Sequence, residues 1–325
     1  HETPYKGKNK LSKIHVRKAK LEDTIAISTL IRTKIGVWQR FDAQGRVESP
    51  PYEALSLYER WLHGGAWMSI ETGVIWLNHL LRGGGLPIVI TRDETVVGYA
   101  EAYLGDEADP FGNHVHLGKW HAETSATQSA LMDYLLGLTR DFAKRLTVAF
   151  SAYDTTQAEF FSAFGMSEIA RVRHYDISAQ LGQGFYKATE HNKTNPAQIS
   201  GWHMPIGRSE SARLHWETMF PRLWDAIDGM DTQAVHRLHI SAAGHEALVC
   251  IQRQLYDTRK VDVLCWSPKP LTPPLLVALR DWAHRGGYRS LIMALNDANA
   301  KLLGAEAETL PYQQVIYGIN LAEEK

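Results

Sequence analysis

The chain has few cysteines, no excess of charge and no long apolar run, and each absence excludes a class of protein. Only two cysteines occur in 325 residues. Cys250 and Cys265 both lie in apolar, strand-like segments, which predicts buried thiols and no disulfide scaffold. The 35 basic and 36 acidic residues leave a formal net charge of -1. No overall field therefore favours nucleic acid or an anionic membrane as a partner.

Membrane-spanning and targeting segments are also missing from the sequence. No stretch approaches the roughly 20 apolar residues that span a bilayer. The first residues, HETPYKGKNKLSK, lack the apolar core of a signal peptide. We therefore expect a cytoplasmic protein that binds neither membrane nor nucleic acid.

Length and composition predict two folded domains. A chain of 325 residues exceeds the roughly 150 residues of a typical domain. Hydrophobic residues make up 44% and charged residues 22%, which is ordinary for a globular protein. Residues 181–200 carry Gly, Asn, Thr and Pro without periodicity, the composition of a linker. The predicted domains are therefore 12–180 and 201–325.

Patterns in the first half predict a mixed sheet flanked by helices. A strand precedes an amphipathic helix at 21–35, and the Trp- and Gly-rich segment 36–86 is predicted to form a helical cap. Two β-rich runs at 86–105 predict an antiparallel hairpin. The elements predicted after it are a strand (113–121), a helix (125–145), a strand (146–154), a short helix (155–165) and a strand (166–178). Helical spacing in the longer helix places Leu131, Leu135, Leu138 and Phe142 on one apolar face. Strand, helix and strand in this order indicate a right-handed crossover.

The second half repeats this order of elements. Its predicted elements are a helix (208–227), strands (235–241, 245–257 and 260–267), a helix (272–284) and a strand (289–297). The two halves match in element order and not in residues, so we infer a divergent tandem duplication. The predicted class is α/β in the α+β arrangement, with a mixed, mostly antiparallel sheet flanked by helices in each domain.

Residues 88–177 carry the most specific pattern in the chain. A strand ends at Asp154, and the residues that characterise the helix and turn after it are Ala158, Phe160, Phe161, Phe164, Gly165 and Met166. This pattern resembles the core of the GNAT (Gcn5-related N-acetyltransferase) superfamily, from its second strand to its last helix. The resemblance implies two GNAT-like domains and transfer of an acyl group from coenzyme A to an amine. It also implies that the cofactor lies where the two central parallel strands separate.

A loop of the form Q/R-x-x-G-x-G/A precedes the long helix in that family, and its backbone N–H groups bind the CoA pyrophosphate. The matching residues here are Glu123, Thr124, Ser125, Ala126, Thr127 and Gln128, and every signature position differs. Glu123 repels phosphate, whereas the hydroxyl groups that follow are good helix caps. The residues that the resemblance implies for binding acetyl-CoA are Trp120, Thr124, Ser125, Ala126, Thr127, Gln128, Asp154 and Phe161.

Three side chains are candidates for proton transfer. Glu101 on the third strand, the better candidate, and His116 on the fourth are candidate bases for the amine proton. In the family, a Tyr in the last helix often protonates the departing thiolate, but Phe161 at the matching position has no proton to give. Tyr153 is the candidate replacement, and its alternative role is structural, with the hydroxyl at the surface.

Other residues leave alternatives open. His114 shares a strand face with His116, and either ring serves the cleft or the core. Together with His121 and Glu123 they also suggest a metal site, although we expect no metal because closed sites need more defined ligands. The tryptophans of the cap form either an acceptor pocket or core, of which core is the commoner role; they are Trp38, Trp61, Trp67 and Trp76.

The sequence therefore favours an N-acyltransferase that moves an acetyl group from acetyl-CoA to an amine of a small molecule or peptide. One alternative is a non-catalytic GNAT-like module that keeps the fold and binds a ligand or partner. Another is a donor that lacks the nucleotide, such as an acyl group on a carrier protein. The proline-rich loop 267–274 offers few N–H donors, so the second domain is expected to pack, to close the acceptor cleft or to form a homodimer contact.

Overall fold

The computed structural model describes residues 13–225, 227–230 and 234–321. Residues 1–12, which make up nearly all of the segment in which we found no apolar signal-peptide core, lie outside this range. The predicted outer limits of the domains, residues 12 and 325, lie outside it as well.

The described residues form a mixed α/β structure, which confirms the predicted class. The strands are β1 (Ile14–Lys18), β2 (Arg40–Phe41), β3 (Val47–Glu48), β4 (Leu86–Arg92), β5 (Thr95–Glu107), β6 (Gly112–Ala122), β7 (Arg145–Ser151), β8 (Ser167–Ser178), β9 (Tyr186–Glu190), β10 (His203–Ile206), β11 (Val235–Ala242), β12 (His245–Arg253), β13 (Lys260–Ser267), β14 (Ser290–Leu295) and β15 (Glu308–Asn320). The helices are α1 (Thr24–Arg32), α2 (Leu57–Trp61), α3 (Ile70–His79), α4 (Ser125–Phe142), α5 (Thr155–Ala163), α6 (Ala212–Met219), α7 (Pro273–Arg285) and α8 (Asp297–Ala300). None of the helices described is long and apolar enough to cross a membrane.

The chain divides into two compact units that do not follow the halves of the sequence. The first unit contains the chain up to Leu81, Leu86–Glu101 and Lys119–Tyr134. The second contains Arg82–Gly85, Ala102–Gly118 and the chain from Leu135 onward. The domain limits 12–180 and 201–325 stay a prediction. The segment between them holds strand β9 and a short 3-10 helix, Pro196–Ile199.

In the first unit, β1 pairs antiparallel with β4, so that Ile14 lies opposite Arg92 and Lys18 opposite Ile88. The predicted helical cap contains α2, α3 and the small hairpin of β2 and β3. Helix α2 begins at a capping box, in which the Glu59 amide donates to Ser56 Oγ and the Ser56 amide donates to Glu59 Oε2. These reciprocal bonds satisfy two amides that the first turn leaves without helical partners.

The fold repeats one arrangement twice along the chain. The hairpin of β4 and β5 is followed by β6, α4 and β7, and the hairpin of β11 and β12 is followed by β13, α7 and β14. Strands β6 and β7 pair parallel, and so do β13 and β14. Antiparallel pairs of the large sheet include β1 with β4, β11 with β12, β12 with β13, β8 with β14 and β7 with β15. This topology agrees with the predicted duplication.

The last strand of each repeat pairs with the other repeat. Strand β8, which ends the first repeat, lies antiparallel to β14, and β15, which ends the second, lies antiparallel to β7. Within the second unit the strand order is β5, β6, β7, β15, β8, β14, β13, β12, β11, β9, with β10 beside β13. Neither repeat therefore completes its sheet without a strand from the other.

Buried residues confirm most of the predicted core. Cys250 and Cys265 are both buried free thiols, and burial raises the pKa of each to about 12. On α4, Leu131 and Leu135 are buried. Phe142, which we placed on the same apolar face, is 61% exposed, so that prediction was wrong. It is the last residue of α4, where the helix ends at the surface.

Candidate functional site

Helix α4 begins at Ser125, within the segment that matches the CoA loop. Thr124 and Thr127 cap it reciprocally: the Thr127 amide donates to Thr124 Oγ1 at 3.3 Å, and the Thr124 amide donates to Thr127 Oγ1 at 3.1 Å. Within the described residues, the amides of Ser125 and Ala126 have no acceptor. Both residues are exposed. Two N–H groups at the positive end of an 18-residue helix are therefore open to an anion.

The side chains around this helix start are already partly engaged. Glu123 is exposed, and its Oε1 lies 3.4 Å from Lys34 Nζ and 3.5 Å from His121 Nε2. Gln128 Nε2 donates to the carbonyl oxygen of Ala122 at 3.0 Å, and Trp120 is half-buried on β6. The carboxylate predicted to repel phosphate thus stands beside the Lys34 ammonium group, which reduces its field at the helix start. Burial lowers the pKa of His121, so that ring adds no positive charge at pH 7.

Glu101, the better of the candidate bases, is enclosed by aromatic residues of the first unit. Its side chain is 4% exposed. Its Oε1 accepts hydrogen bonds from Trp67 Nε1 at 2.8 Å, Trp76 Nε1 at 3.0 Å and Tyr99 OH at 3.0 Å. Its burial and these three hydrogen bonds hold the carboxylate in the interior, away from a substrate in solvent. Trp67 and Trp76 are buried core residues, whereas Trp38 and Trp61 are half-buried.

His114 belongs to a buried ionic cluster in the second unit. Glu107 Oε2 accepts from Arg208 Nε at 2.8 Å, and Glu107 Oε1 accepts from Arg208 Nη2 at 3.2 Å and from the Ala212 amide at 3.0 Å. His114 Nε2 lies 3.3 Å from the same Oε1. Its Nδ1 donates to the Gly112 carbonyl oxygen at 2.9 Å. The cluster links β5 and β6 to the segment that precedes α6.

Burial and charge determine the protonation of this cluster. Burial raises the pKa of Glu107, but the charge of Arg208 and the hydrogen bonds from Arg208 and the Ala212 amide outweigh it, and the net pKa is lowered. Burial lowers the pKa of His114 to about 4, and Arg208 adds to the effect while Glu107 opposes it. The His114 ring is therefore neutral at pH 7. Its Nε2 then has no hydrogen-bond partner in the described part of the chain.

His116 is also fully buried, but both of its ring nitrogens have partners. Nδ1 lies 2.9 Å from Thr147 Oγ1, and Nε2 lies 2.8 Å from Glu210 Oε2. The side chain of Glu210 is 31% exposed. The ring therefore connects a buried hydroxyl group on β7 to a carboxylate that reaches solvent.

Glu210 is held in place by the turn that precedes α6. Gly207 has a φ of +84°, and a Cβ there would lie 2.7 Å from the Val263 carbonyl oxygen, so only glycine fits. The Glu210 amide donates to His215 Nε2 at 3.1 Å. Burial, with Arg208, lowers the pKa of His215 to about 3, which keeps Nε2 an acceptor. The backbone of Glu210 is thus fixed as well as its carboxylate.

Sequence reasoning missed Glu107, Arg208 and Glu210. We predicted that residues 208–227 form one helix, but α6 begins only at Ala212, because Ser211 caps it by accepting from the Leu214 amide. The partners of Arg208 and Glu210 lie 101 and 94 residues away in the chain. The sequence signal for these residues was the presence of two charged side chains, Arg208 and Glu210, in a turn between a strand and a helix.

The remaining predicted residues have structural contacts in the second unit. Tyr153 is 66% exposed, and its OH donates to the Pro311 carbonyl oxygen at 3.0 Å. Asp154 caps α5 by accepting from the Gln157 amide at 3.0 Å, and this bond chiefly lowers the pKa of Asp154. Phe161 is fully buried and stacks on Phe150 with ring centroids 5.7 Å apart. Catalytic and cofactor roles for these three residues stay predictions.

A cavity of about 410 Å³ lies in the second unit, within the size range of small-molecule sites. Glu107 and Arg213 are among its polar lining residues, and Leu104 and Phe142 are among its apolar ones. In the part of the chain that the structure describes, no group of three His, Cys, Asp or Glu side chains is placed to hold a metal ion. The ring centroids of His114 and His116 are 6.5 Å apart, and each ring has its own carboxylate neighbour.

Solved structures of GNAT proteins share this fold. A GCN5-related N-acetyltransferase from Anabaena variabilis is 12% identical, with a TM-score of 0.60 over 94% of this chain and 72% of that one. One from Kribbella flavida is 12% identical, with a TM-score of 0.58 over 95% and 71%. A Pyrococcus horikoshii protein assigned as an acetyltransferase is 12% identical, with a TM-score of 0.50 over 98% and 93%. No protein-family model and no curated protein matches the sequence.

These likenesses show the fold alone, because the identity is low. The chain has a GNAT-like fold, as predicted from residues 88–177, and the likeness extends over more than nine tenths of its length. The donor, the acceptor and the residues that act on them are matters for proposal.

Proposed function

We propose that the chain is an N-acyltransferase that takes an acetyl group from acetyl-CoA and transfers it to an amine. The observation that carries the proposal is the pair of open amides, those of Ser125 and Ala126, at the start of α4 in a GNAT-like fold. A helix N-terminus attracts phosphate through its unpaired N–H groups and its dipole. CoA contains a pyrophosphate of the kind that such a site binds.

The residues at this helix start fit the donor in part. The amides of Ser125 and Ala126 would hold a phosphate, and Thr124 Oγ1 and Ser125 Oγ are nearby hydroxyl groups that can add hydrogen bonds. Lys34 supplies a positive charge beside Glu123. The misfit is Glu123 itself, since its carboxylate repels phosphate. Binding in the micromolar range, weaker than a basic residue would allow, is therefore expected.

Acetyl-CoA would supply an acyl carbon activated as a thioester. The protein's own contribution is to position this carbon against an amine and to accept the proton that the amine loses. Pairing of β6 with β7 covers residues 114–117 and 145–148 and ends before either strand ends. We place the acyl group at this end of the pairing. The proposed acceptor is a primary amine of a small molecule or peptide.

Calorimetric titration of acetyl-CoA into the whole chain tests the proposal. We expect micromolar binding by the wild type. A Glu123→Arg variant should bind about tenfold more tightly, because it replaces repulsion by attraction at close range. Glu246→Arg is the matched control, since Glu246 is an exposed carboxylate on β12 and its Oε2 lies 3.7 Å from His239 Nε2. Absence of binding by the wild type and by Glu123→Arg would overturn the proposal.

A second candidate is a GNAT-like module without catalysis that binds a ligand or partner. Phe161 favours it, because this residue occupies the position of the family's proton-donating Tyr and lies fully buried against Phe150. The enclosed carboxylate of Glu101 favours it too. Acetyl-CoA binding without turnover on any amine would select this candidate.

A further inference from the structure

A carboxylate that serves as a base must reach the substrate and must be held in one position. Glu101 fails the first requirement, because it is 4% exposed and its Oε1 already accepts three hydrogen bonds. Glu107 fails it also, since Arg208 and the Ala212 amide occupy both of its buried oxygens. Glu210 meets both requirements, with a side chain 31% exposed and one oxygen bound to the fully buried ring of His116.

The position of Glu210 along the sheet is set by His116. Pairing between β6 and β7 ends at Leu117 and Val148, one residue beyond His116 and Thr147. Gly118 lies on the same face of β6 as His116. A Cβ at Gly118 would lie 2.7 Å from Leu214 Cδ1, so α6 packs directly over this strand. The turn that carries Glu210 is therefore fixed beside the end of the parallel pairing.

We propose that Glu210, which the second half of the chain contributes, is the general base of the acyl transfer, and that His116 and Thr147 are its positioning residues. The inference rests on the proposed function. As the carbon–nitrogen bond forms, the carbon–sulfur bond of the thioester breaks, and the amine proton passes to the carboxylate of Glu210. The thiolate takes a proton from solvent, and Glu210 returns its own proton to solvent, so charge and atoms balance.

His116 can hold Glu210 because its other nitrogen is fixed. Thr147 Oγ1 lies 2.9 Å from Nδ1, and this contact orients the ring so that Nε2 donates to Glu210 Oε2. The other titratable or charged groups around this pair come from three elements. They are His114 on β6, Glu107 on β5, and Arg208 and His215 in the segment around the start of α6.

Glu210→Gln is the most direct variant, because glutamine keeps the shape and an acceptor for His116 but is not a base at neutral pH. The measurement is release of free thiol from acetyl-CoA with a panel of primary amines, namely spermidine, lysine and an alanyl dipeptide. We expect kcat to fall by about 10²- to 10⁴-fold with little change in KM, as for loss of a general base. Glu246→Gln, which alters another Glu–His pair, is the matched control.

The positioning role has its own readout. Thr147→Val removes the hydroxyl group that orients His116 and should lower kcat by about tenfold, whereas Thr147→Ser keeps the hydroxyl and should retain the rate. Glu210→Asp keeps a carboxylate at this position and should retain part of the wild-type rate, whereas Glu210→Gln should not. A structural role for Glu210 would instead lower the melting temperature, and Glu210→Asp and Glu210→Gln would then turn over at similar rates.

The outcomes separate this inference from the proposed function. Wild-type turnover that Glu210→Gln leaves unchanged overturns the role of Glu210 and leaves the acyltransferase standing. A wild type that binds acetyl-CoA but acylates no amine overturns the catalytic proposal and, with it, the role of Glu210. Loss of turnover in Glu210→Gln, with acetyl-CoA binding and melting temperature unchanged, supports both.

Discussion

Glu101 and Glu210 are the same residue type in opposite environments. Glu101 is buried in the first unit, and the three donors on its Oε1 are neutral side-chain groups. Glu210, in the second unit, is partly exposed, and its carboxylate contacts the ring of His116. If the carboxylate of Glu101 moved away, the buried donors around it would be left unpaired. The carboxylate of Glu210 is accessible to solvent, so accessibility and not strand position distinguishes the two carboxylates.

The largest effect that follows from this comparison is on stability. Glu101→Leu removes the acceptor of Trp67 Nε1, Trp76 Nε1 and Tyr99 OH and leaves buried donors behind. We expect the free energy of unfolding to fall by about 3–5 kcal/mol. Glu210→Gln, at a partly exposed site, should cost less than about 1 kcal/mol. Urea denaturation measures both, and equal losses would remove the distinction between the two carboxylates.

Acid should destabilise the second unit through its buried histidines. The folded-state pKa of His114 is lowered from 6.5 to about 4. When the pH lies between these two values, the unfolded chain binds a proton at His114 that the folded chain does not. Stability is therefore complete above about pH 6.5 and falls by about 3 kcal/mol as the pH drops to about 4. His215, with a pKa of about 3, acts in the same direction.

Urea denaturation at a series of pH values measures this dependence, and His114→Gln should flatten it. The donors to Glu101 bind no proton between pH 6.5 and pH 4, so they add nothing to this dependence; they are Trp67, Trp76 and Tyr99. A wild type whose stability stays constant between pH 6.5 and pH 4 would contradict the account of His114.

Removing one donor from Glu101 gives a smaller effect than removing the acceptor. Trp76→Phe loses the hydrogen bond from Nε1 at 3.0 Å but keeps an aromatic ring in the core. We expect a loss of about 1–2 kcal/mol in unfolding free energy, since Trp67 and Tyr99 still satisfy the carboxylate. A loss as large as that of Glu101→Leu would mean that packing, and not the hydrogen bonds, dominates this site.

Asp154 provides the smallest effect, as a carboxylate whose role is to cap a helix. It accepts from the Gln157 amide and from Gln157 Nε2 at the start of α5. Asp154→Ala should lower the melting temperature in line with a loss of about 1 kcal/mol. Because we assign its contacts to the cap, acetyl-CoA affinity should not change. A loss of affinity without a loss of stability would instead support the role in cofactor binding implied by the family resemblance.

Local patterns in the sequence predicted much of the fold. The amphipathic helices, the paired β-rich runs and the repeated element order depend on neighbouring residues, and the structure confirms them. The exchange of β8 and β15 between the repeats was not predictable, because periodicity says nothing about which distant strand becomes a neighbour. The exposure of Phe142 was missed because helical spacing does not show where a helix leaves the core.

The candidate site was less predictable than the fold. The sequence favoured a core role over an acceptor pocket for Trp67 and Trp76, but only the structure shows that their indole nitrogens donate to Glu101. The pairing of His116 with Glu210 joins residues 94 apart in the chain, and no local pattern carries that information. Strand alternation correctly placed His114 and His116 on one face, yet it could not show that each has its own carboxylate neighbour.

The central claim, that an acyl-CoA binds at the start of α4, is tested most directly by titrating acetyl-CoA into the wild type and two Ser125 variants. Ser125→Pro removes one open amide at a position where proline suits a helix; Ser125→Ala keeps the amide and removes only the hydroxyl. We predict micromolar binding by the wild type, a loss of at least about tenfold in Ser125→Pro and little change in Ser125→Ala, as for a lost hydrogen bond to a charged group. Equal binding by Ser125→Pro and the wild type, or no binding by the wild type, would contradict the account.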